Sequence, residues 1–154
     1  MAELKIGSKA PAFSGKDQDG NKVTLASLAG RKVALYFYPQ DNTPTCTEQA
    51  CNLRDNFRNL DKQGITVLGV SPDDEKAHVK FIGKFKLPFT LLADPDKKII
   101  GKFGVWAEKQ MYGRKYMGVV RTTFLIDEKG KIAGIITRPK VKEHSAEILK
   151  GFGL

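Results

Sequence analysis

Two continuous apolar runs, Val33–Tyr38 and Ile65–Val70, constrain the fold of this chain more than any other feature. Pro39 ends the first run, and Pro72 follows the second after one serine. Short unbroken runs of this kind are typical of strands buried on both faces of a parallel sheet. Between them, apolar residues at alternating +3 and +4 spacing predict a helix over 44–62. This apolar stripe consists of Ala50, Leu53, Phe57 and Leu60. The order strand, helix, strand predicts a parallel βαβ unit.

Turn signals divide the rest of the chain into further elements. The sequence Asp-Gly-Asn at 19–21 predicts an N-terminal hairpin over 12–25, and Asp127–Gly130 predicts a turn between two late strands. The other predicted elements are helices over 74–84, 96–103 and 143–151 and strands over 119–126 and 131–137. A βαβ unit followed by a hairpin and a helix is the thioredoxin-like order. We therefore predict an α/β chain with a thioredoxin-like fold: a mixed central sheet flanked by helices, with an N-terminal β-hairpin extension. With 154 residues, one domain over 1–154 is expected.

Composition narrows the partners that this chain is expected to have. It carries 26 Lys and Arg against 17 Asp and Glu, a net charge of +9. The basic residues are dispersed, so a solvated surface is favoured over a nucleic-acid interface, with docking to an acidic partner as the alternative. The first residues lack the apolar segment of a secretory signal, and no apolar stretch is long enough to span a membrane. We expect a protein of the cytoplasm, or of the equivalent compartment of an organelle after processing, that binds neither nucleic acid nor a membrane.

The segment after the first apolar run carries the candidate chemistry. Thr43 is a favourable N-cap residue and Pro44 suits the first helical position, which places Cys46 in the first helical turn. There the free amide groups and the helix dipole favour a thiolate, the nucleophilic form of cysteine. On the helical wheel Cys46 lies within about 40° of the whole apolar stripe, whereas Cys51 lies about 140° away. Cys46 is therefore predicted to face inward and Cys51 outward.

Arg121 is the second candidate. It opens the predicted strand over 119–126, which runs antiparallel to the first apolar strand. An antiparallel strand starts at the edge of the sheet where its parallel neighbours end, so Arg121 is expected beside Cys46 if the two strands are close in the sheet; the alternative is a surface arginine at the start of a strand. A fixed cation at that place would favour thiolate and stabilise charge on a departing oxygen.

Other functions stay open from the residues alone. Cys46 and Cys51 could bind a metal, although two thiols fall short of four tetrahedral ligands and no metal is predicted. A basic nucleic-acid-binding or chaperone-like protein would give Cys46 no role. A disulfide reductase would use a two-residue spacing between its cysteines, where this chain has four. His78 and His144 are far apart in sequence and are expected on the surface. No phosphate-binding loop is present, and no cofactor is predicted.

The motif Pro39-x-x-x-Thr43-x-x-Cys46 matches the active-site motif of the peroxiredoxins. The stretch from Phe37 to Cys51 resembles the peroxiredoxin Q subfamily, also called bacterioferritin comigratory proteins. The resemblance implies a peroxidase that reduces hydrogen peroxide and organic hydroperoxides, with thioredoxin or a similar thiol as reductant. It implies these roles: Cys46 as the peroxidatic cysteine, Thr43 and Arg121 binding and polarising the peroxide, Pro39 shielding the site from water, and Cys51 as the resolving cysteine. A monomer is expected, with a weak dimer as the alternative.

One position departs from the subfamily, and one consequence follows from geometry. Thr45 stands where the subfamily commonly has glycine before the peroxidatic cysteine, which could narrow the entrance or stiffen the loop. On an intact helix the Cα atoms of Cys46 and Cys51 would lie roughly 8.7 Å apart. A disulfide needs Cα atoms within about 7 Å. The implied disulfide therefore requires local unwinding, which we expect on the Cys51 side because Asn52, Asp55 and Asn56 are poor helix formers.

Overall fold

A mixed sheet of seven strands organises the computed structural model, which describes residues 4–154. The strands are β1 (Ser14–Lys16), β2 (Lys22–Thr24), β3 (Lys32–Phe37), β4 (Ile65–Ser71), β5 (Thr90–Ala93), β6 (Trp106–Met111), β7 (Arg114–Val119), β8 (Thr122–Ile126) and β9 (Ile132–Thr137). The helices are α1 (Pro44–Asp55), α2 (Phe57–Lys62), α3 (Glu75–Phe85), α4 (Lys98–Lys102) and α5 (His144–Gly151). Within these described residues, no helix has both the length and the apolar character needed to cross a bilayer.

The strand order places the loops after the parallel strands at one edge of the sheet. The order is β2-β1-β5-β4-β3-β8-β9, with β6 and β7 forming a separate hairpin. Strands β3, β4 and β5 are parallel, whereas β8 runs antiparallel to β3. Phe37, the last residue of β3, pairs with Thr122, the first residue of β8. The loop after β3 and the residues before β8 therefore meet at the same edge.

Alternate residues of β3 supply two separate cores, one on each face of the sheet. Val33, Leu35 and Phe37 belong to the first, where the ring of Phe37 lies 5.3 Å from that of Phe103. The second core covers the opposite face and includes Ala34, Tyr36, Tyr38, Cys46, Ala50, Leu53 and Leu60. Full burial of each leucine contributes about 2 kcal/mol to docking the α1–α2 segment. The predicted apolar stripe thus holds the helix that carries Cys46 against β3.

The predicted helix over 44–62 is divided at Asn56. Asn56 adopts φ −111° and ψ 11°, ending α1 before α2 begins. Its side-chain Nδ2 donates to the carbonyl of Asn52 over 2.8 Å, the same carbonyl that accepts its backbone N–H. An asparagine side chain that competes for backbone acceptors in this way disfavours a continuous helix.

The strand predicted over 119–126 is wrong in its first part. Val119 ends β7, and β8 begins only at Thr122. The amide of Val120 donates to the carbonyl of Val105 over 2.7 Å, at the base of the β6–β7 hairpin. Arg121 therefore lies in the connection just before β8, at the predicted edge. The N-terminal hairpin is confirmed as β1 and β2.

Candidate active site

The β3–α1 connection presents Cys46 as the sequence predicts. Thr43 occupies the N-cap position with an extended backbone, and Pro44 begins the helix. The Thr43 carbonyl accepts the first helical hydrogen bond from the Thr47 amide over 2.8 Å. Cys46 is only 2% exposed, and its sulfur is free. It lies one residue before that first bonded amide, where the positive end of the helix dipole favours a negative charge.

Arg121 contacts the sulfur of Cys46. Its Nη2 lies 3.1 Å from Cys46 Sγ, and its Nη1 donates to Gln49 Oε1 over 2.6 Å. Gln49 is fully buried one helical turn after Cys46. Because two separate guanidinium nitrogens are engaged, the planar fork of Arg121 has a fixed orientation toward the sulfur. The structure thus brings together the two residues that lie 75 positions apart in the sequence.

The Thr43 hydroxyl plays a different part from that predicted for an N-cap residue. It makes no capping hydrogen bond to the helix. Instead it donates to the Gln40 carbonyl over 3.0 Å, closing the loop between Pro39 and the helix. Asn42, inside this loop, adopts a left-handed backbone with φ 61°, a conformation that asparagine tolerates better than most residues. Pro39 is half-buried and lies two residues after the end of β3.

Cys51 lies on the same continuous helix as Cys46. Its thiol is free, and the residue is half-buried rather than fully exposed. Next to it, Asn52 joins α1 to the segment that leads into α5. Asn52 Nδ2 donates to the Lys142 carbonyl, and its Oδ1 accepts from the Ser145 amide, each over 2.8 Å. The residue predicted as a weak helix former therefore makes two contacts with another element.

Lys109 adds a second cation near the site, and the sequence reasoning missed it. Its Nζ donates to the Val119 carbonyl over 2.8 Å, two residues before Arg121. Partial burial lowers the pKa of Lys109, and the positive charge of Arg121 lowers it further, while the Cys46 sulfur acts in the opposite direction. Lys109 lies in the β6–β7 hairpin, which the turn signals did not predict. Gln49 was also missed, although its spacing of three residues from Cys46 places it on the same side of α1.

The expectation that both histidines lie on the surface is wrong. His78 and His144 are each 0% exposed. The Nδ1 of His144 lies 3.0 Å from Glu147 Oε1, and its Nε2 lies 2.8 Å from Thr123 Oγ1. Burial lowers the pKa of His144, and the hydrogen bond that its ring donates to Glu147, with the charge of that carboxylate, only partly offsets the effect. His144 is therefore a neutral residue beneath α1.

Tyr36 of β3 and Tyr38, the first residue after β3, are two buried tyrosines next to the loop. Burial raises the pKa of Tyr36 and Tyr38 well above the usual value, and the charge of Asp41 contributes in both cases. Both phenols therefore stay neutral, and Tyr38 donates to Asp41 Oδ1 over 2.5 Å. Within residues 4–154, no three metal-ligating side chains converge on one place.

Comparison with known proteins identifies relatives along nearly the whole chain. The model of the AhpC/TSA family matches residues 6–135. A putative peroxiredoxin bcp of Coxiella burnetii is 47% identical, over 95% of this chain and 97% of the relative. Peroxiredoxin Bcp of Escherichia coli is 46% identical, over 97% and 96% of the two chains.

Solved structures agree with the predicted fold. A peroxiredoxin Q mutant of Xylella fastidiosa has a TM-score of 0.92 at 29% identity, covering 99% of this chain and 98% of its own. The bacterioferritin comigratory protein of Xanthomonas campestris, studied for alkyl peroxide reduction, has a TM-score of 0.88 at 31% identity, covering 97% and 98%. The thioredoxin-like fold and the resemblance to peroxiredoxin Q are therefore confirmed.

Proposed function

This chain belongs to the AhpC/TSA family, among relatives named Bcp or peroxiredoxin Q, and we propose on that premise that it is a thiol peroxidase acting through Cys46. Its substrates are hydrogen peroxide and organic hydroperoxides. The observation that carries the assignment of the nucleophile is the 3.1 Å contact between Arg121 Nη2 and Cys46 Sγ at the start of α1. A buried thiol beside a fixed cation is suited to react as thiolate.

The first step transfers one oxygen to sulfur. The Cys46 thiolate attacks one peroxide oxygen, the O–O bond breaks, and the other oxygen leaves as water or alcohol after taking a proton. Cys46 becomes a sulfenic acid. The guanidinium of Arg121 stabilises the negative charge on the departing oxygen, and the Thr43 hydroxyl orients the peroxide. Pro39 covers the loop side of the site and limits the access of water.

The second step removes the sulfenic oxygen. The Cys51 thiolate attacks the sulfur of Cys46, the S–O bond breaks, and a disulfide forms, while the oxygen leaves as hydroxide and takes up a proton to become water. Both cysteines lie in α1, so their Cα atoms stay roughly 8.7 Å apart until part of the helix opens. A dithiol donor then reduces the disulfide by thiol–disulfide exchange and restores both thiols.

The reductant, the compartment and the assembly state follow from this cycle. Thioredoxin or a similar dithiol is the proposed donor, because an intramolecular disulfide is its ordinary substrate. Such a donor operates in reducing compartments, so we place the protein in the cytoplasm. Cys46, Cys51, Thr43 and Arg121 all come from one chain, so the cycle needs no second subunit and a monomer suffices.

Steady-state peroxide consumption with a thioredoxin system tests this function. The wild type should consume hydrogen peroxide, and Cys46→Ser should consume none. Cys51→Ser serves as the matched control, since it removes a thiol from the same helix but leaves one stoichiometric reaction per chain. Continued turnover by Cys46→Ser would rule out the proposed nucleophile.

A further inference from the structure

A buried ion pair lies directly behind the β3–α1 loop. His78 of α3 is 0% exposed, and its Nδ1 lies 2.6 Å from Asp41 Oδ2. Asp41 belongs to the loop between Pro39 and Thr43 and is itself only 8% exposed. These two residues are separated by 37 positions and come from different elements. The pair thus joins the loop that precedes Cys46 to a helix that holds none of the proposed catalytic residues.

Hydrogen-bond partners define the charge of this pair. The Nε2 of His78 lies 3.0 Å from the Leu92 carbonyl, which can only accept, so Nε2 carries a proton. Nδ1 faces a carboxylate oxygen, and a second proton is shared between them. Burial lowers the pKa of His78, but the hydrogen bond and charge of Asp41, aided by the Leu92 carbonyl and the charge of Asp73, raise it above the usual value. The contacts of both ring nitrogens and the raised pKa of His78 therefore favour the form in which a protonated His78 faces Asp41.

Asp41 connects this ion pair to the rest of the loop. Its Oδ1 accepts from the Tyr38 hydroxyl, and its backbone amide donates to Asp73 Oδ2 over 2.8 Å. The same Asp73 oxygen accepts from the Ser71 hydroxyl over 2.7 Å. Both carboxylate oxygens and the amide of Asp41 are therefore engaged. The neighbouring residue Asn42 has a left-handed backbone, so the loop depends on outside contacts to keep its shape.

We propose that His78 is a positioning residue for the reaction at Cys46: through Asp41 it holds the loop that carries Pro39 and Thr43. This inference rests on the proposed peroxidase function and adds a residue to it. His78 touches neither peroxide nor sulfur in this role. Its effect is to fix where the Thr43 hydroxyl and the Pro39 ring lie relative to the sulfur, since misplacement by about 1 Å costs roughly 10²-fold in rate.

The ion pair also gives the loop a pH dependence on the alkaline side. Three groups face His78 or its partner: Asp41 from the loop, Asp73 from the β4–α3 connection, and the neutral phenol of Tyr38, which follows β3. Lys80 and Lys84 of α3 line the outer side together with Asp41. Because the pKa of His78 is raised in the folded state, its stabilising effect is complete below about 6.5, the ordinary value. It is lost as pH rises through the raised value. Loss of the proton leaves a lone pair facing the carboxylate and releases the loop.

Single-turnover kinetics test this role. Oxidation of Cys46 by hydrogen peroxide is measured across pH in the Cys51→Ser background, with and without His78→Gln. The variant should react about 10-fold or more slowly at neutral pH and should lack the alkaline fall in rate that His78 confers on the parent. Ultraviolet absorbance of the thiolate should be unchanged, because Arg121 keeps its contact with the sulfur. Asp41→Asn retains the side-chain shape and one acceptor oxygen. Its rate of Cys46 oxidation should therefore lie between those of the parent and of His78→Gln.

His144→Gln is the matched control, since it replaces another fully buried histidine that does not contact the loop. It should lower stability but keep the parent's pH profile. Hydrogen exchange of residues 39–43 is followed in the same proteins, and His78→Gln should lose the protection of the Asp41 amide. Parental rate, pH profile and loop protection in His78→Gln would overturn the proposal. If His78→Gln does not fold, the rate, pH profile and loop protection of Asp41→Asn test the proposal in its place. An unreactive Cys46 in the parent would contradict the peroxidase function instead, and the exchange measurement would still decide whether His78 holds the loop.

Discussion

At the scale of single residues, the two buried histidines differ in what their ring nitrogens meet. His78 faces a carboxylate and a carbonyl, both acceptors, so the folded protein favours its charged form. His144 faces a carboxylate on one side and the Thr123 hydroxyl, which can donate, on the other. Although both rings are 0% exposed, their pKa values shift in opposite directions: Asp41 outweighs burial at His78, whereas Glu147 does not at His144, where the charge of Arg121 lowers the pKa further.

The lowered pKa of His144 predicts a loss of stability in acid. A group whose folded pKa is depressed stabilises the fold above its ordinary value of about 6.5, and that contribution is lost as pH falls. Because the raised pKa of His78 has the opposite effect, the test compares two proteins: between about pH 7.5 and about pH 5, the free energy of unfolding from urea titrations should fall more, or rise less, in the wild type than in His144→Gln. An undiminished pH dependence in the variant would show that His144 does not contribute to it.

Substitution of Arg121 should have a large effect on the rate of the first chemical step, because its guanidinium is held against the sulfur of Cys46. Arg121→Ala removes a fixed charge beside the sulfur and the breaking O–O bond, and a loss on the order of 10²-fold in the second-order rate is expected. Arg121→Lys keeps the charge but cannot hold Gln49 and Cys46 together, so its rate should lie between the two. Stopped-flow oxidation of Cys46 measures all three proteins. A rate for Arg121→Ala within a factor of two of the wild type would refute the assigned role.

At the scale of elements, the first turn of α1 is packed against the sheet, and its middle is hydrogen-bonded to α5. Its apolar side, with Cys46, Ala50 and Leu53, is buried against the sheet. Asn52 joins the next turn to Lys142 and Ser145. Opening of the helix around Cys51 must break these two contacts, and a hydrogen bond of this kind contributes about 1 kcal/mol. We therefore expect Asn52 to raise the barrier to the proposed disulfide and to lengthen the life of the proposed sulfenic acid.

Removal of this restraint should accelerate the second step. Asn52→Ala deletes both contacts with the α5 segment, and disulfide formation after a peroxide pulse should become about 10-fold faster. Over-oxidation of Cys46 by excess peroxide should fall in parallel. Asn56→Ala is the control, because the Asn56 side chain bonds only to the Asn52 carbonyl within its own segment. Quenched-flow mass spectrometry measures both variants, and equal rates for the two would argue against a restraint by Asn52.

Helix opening itself is tested by hydrogen exchange over residues 44–62. The form with the Cys46–Cys51 disulfide should lose protection relative to the reduced form, first around Cys51. Equal protection in both forms, with the disulfide verified by mass spectrometry, would show that the bond forms without unwinding.

At the scale of the whole molecule, short sequence patterns predicted the elements whose positions depend on neighbouring residues. The apolar runs located β3 and β4, and Thr43 with Pro44 located the start of α1. The direction of β8 then placed Arg121 at the correct edge, even though β8 begins three residues later than predicted and leaves Arg121 just before it.

Features that depend on contacts distant in sequence could not be predicted. The β6–β7 hairpin turns at Tyr112-Gly113, with φ 51° and 76°. Turns of this kind are recognised in a sequence by Asn-Gly or Asp-Gly, and this chain has tyrosine before the glycine. Strand β5 has only four residues, too few for a periodic pattern. The contacts of His78 with Asp41 and of Asn52 with Ser145 arise only when separate elements pack together. No local sequence pattern predicts these contacts.

The identity of the oxygen-accepting atom is the central claim, and trapping it tests that claim most directly. Reduced Cys51→Ser protein is treated with one equivalent of hydrogen peroxide and a sulfenic-acid reagent, then analysed by peptide mass spectrometry. One adduct per chain is predicted, on the peptide that contains Cys46, and none in the protein that also carries Cys46→Ser. An adduct elsewhere, or peroxide consumed equally without Cys46, would contradict the account.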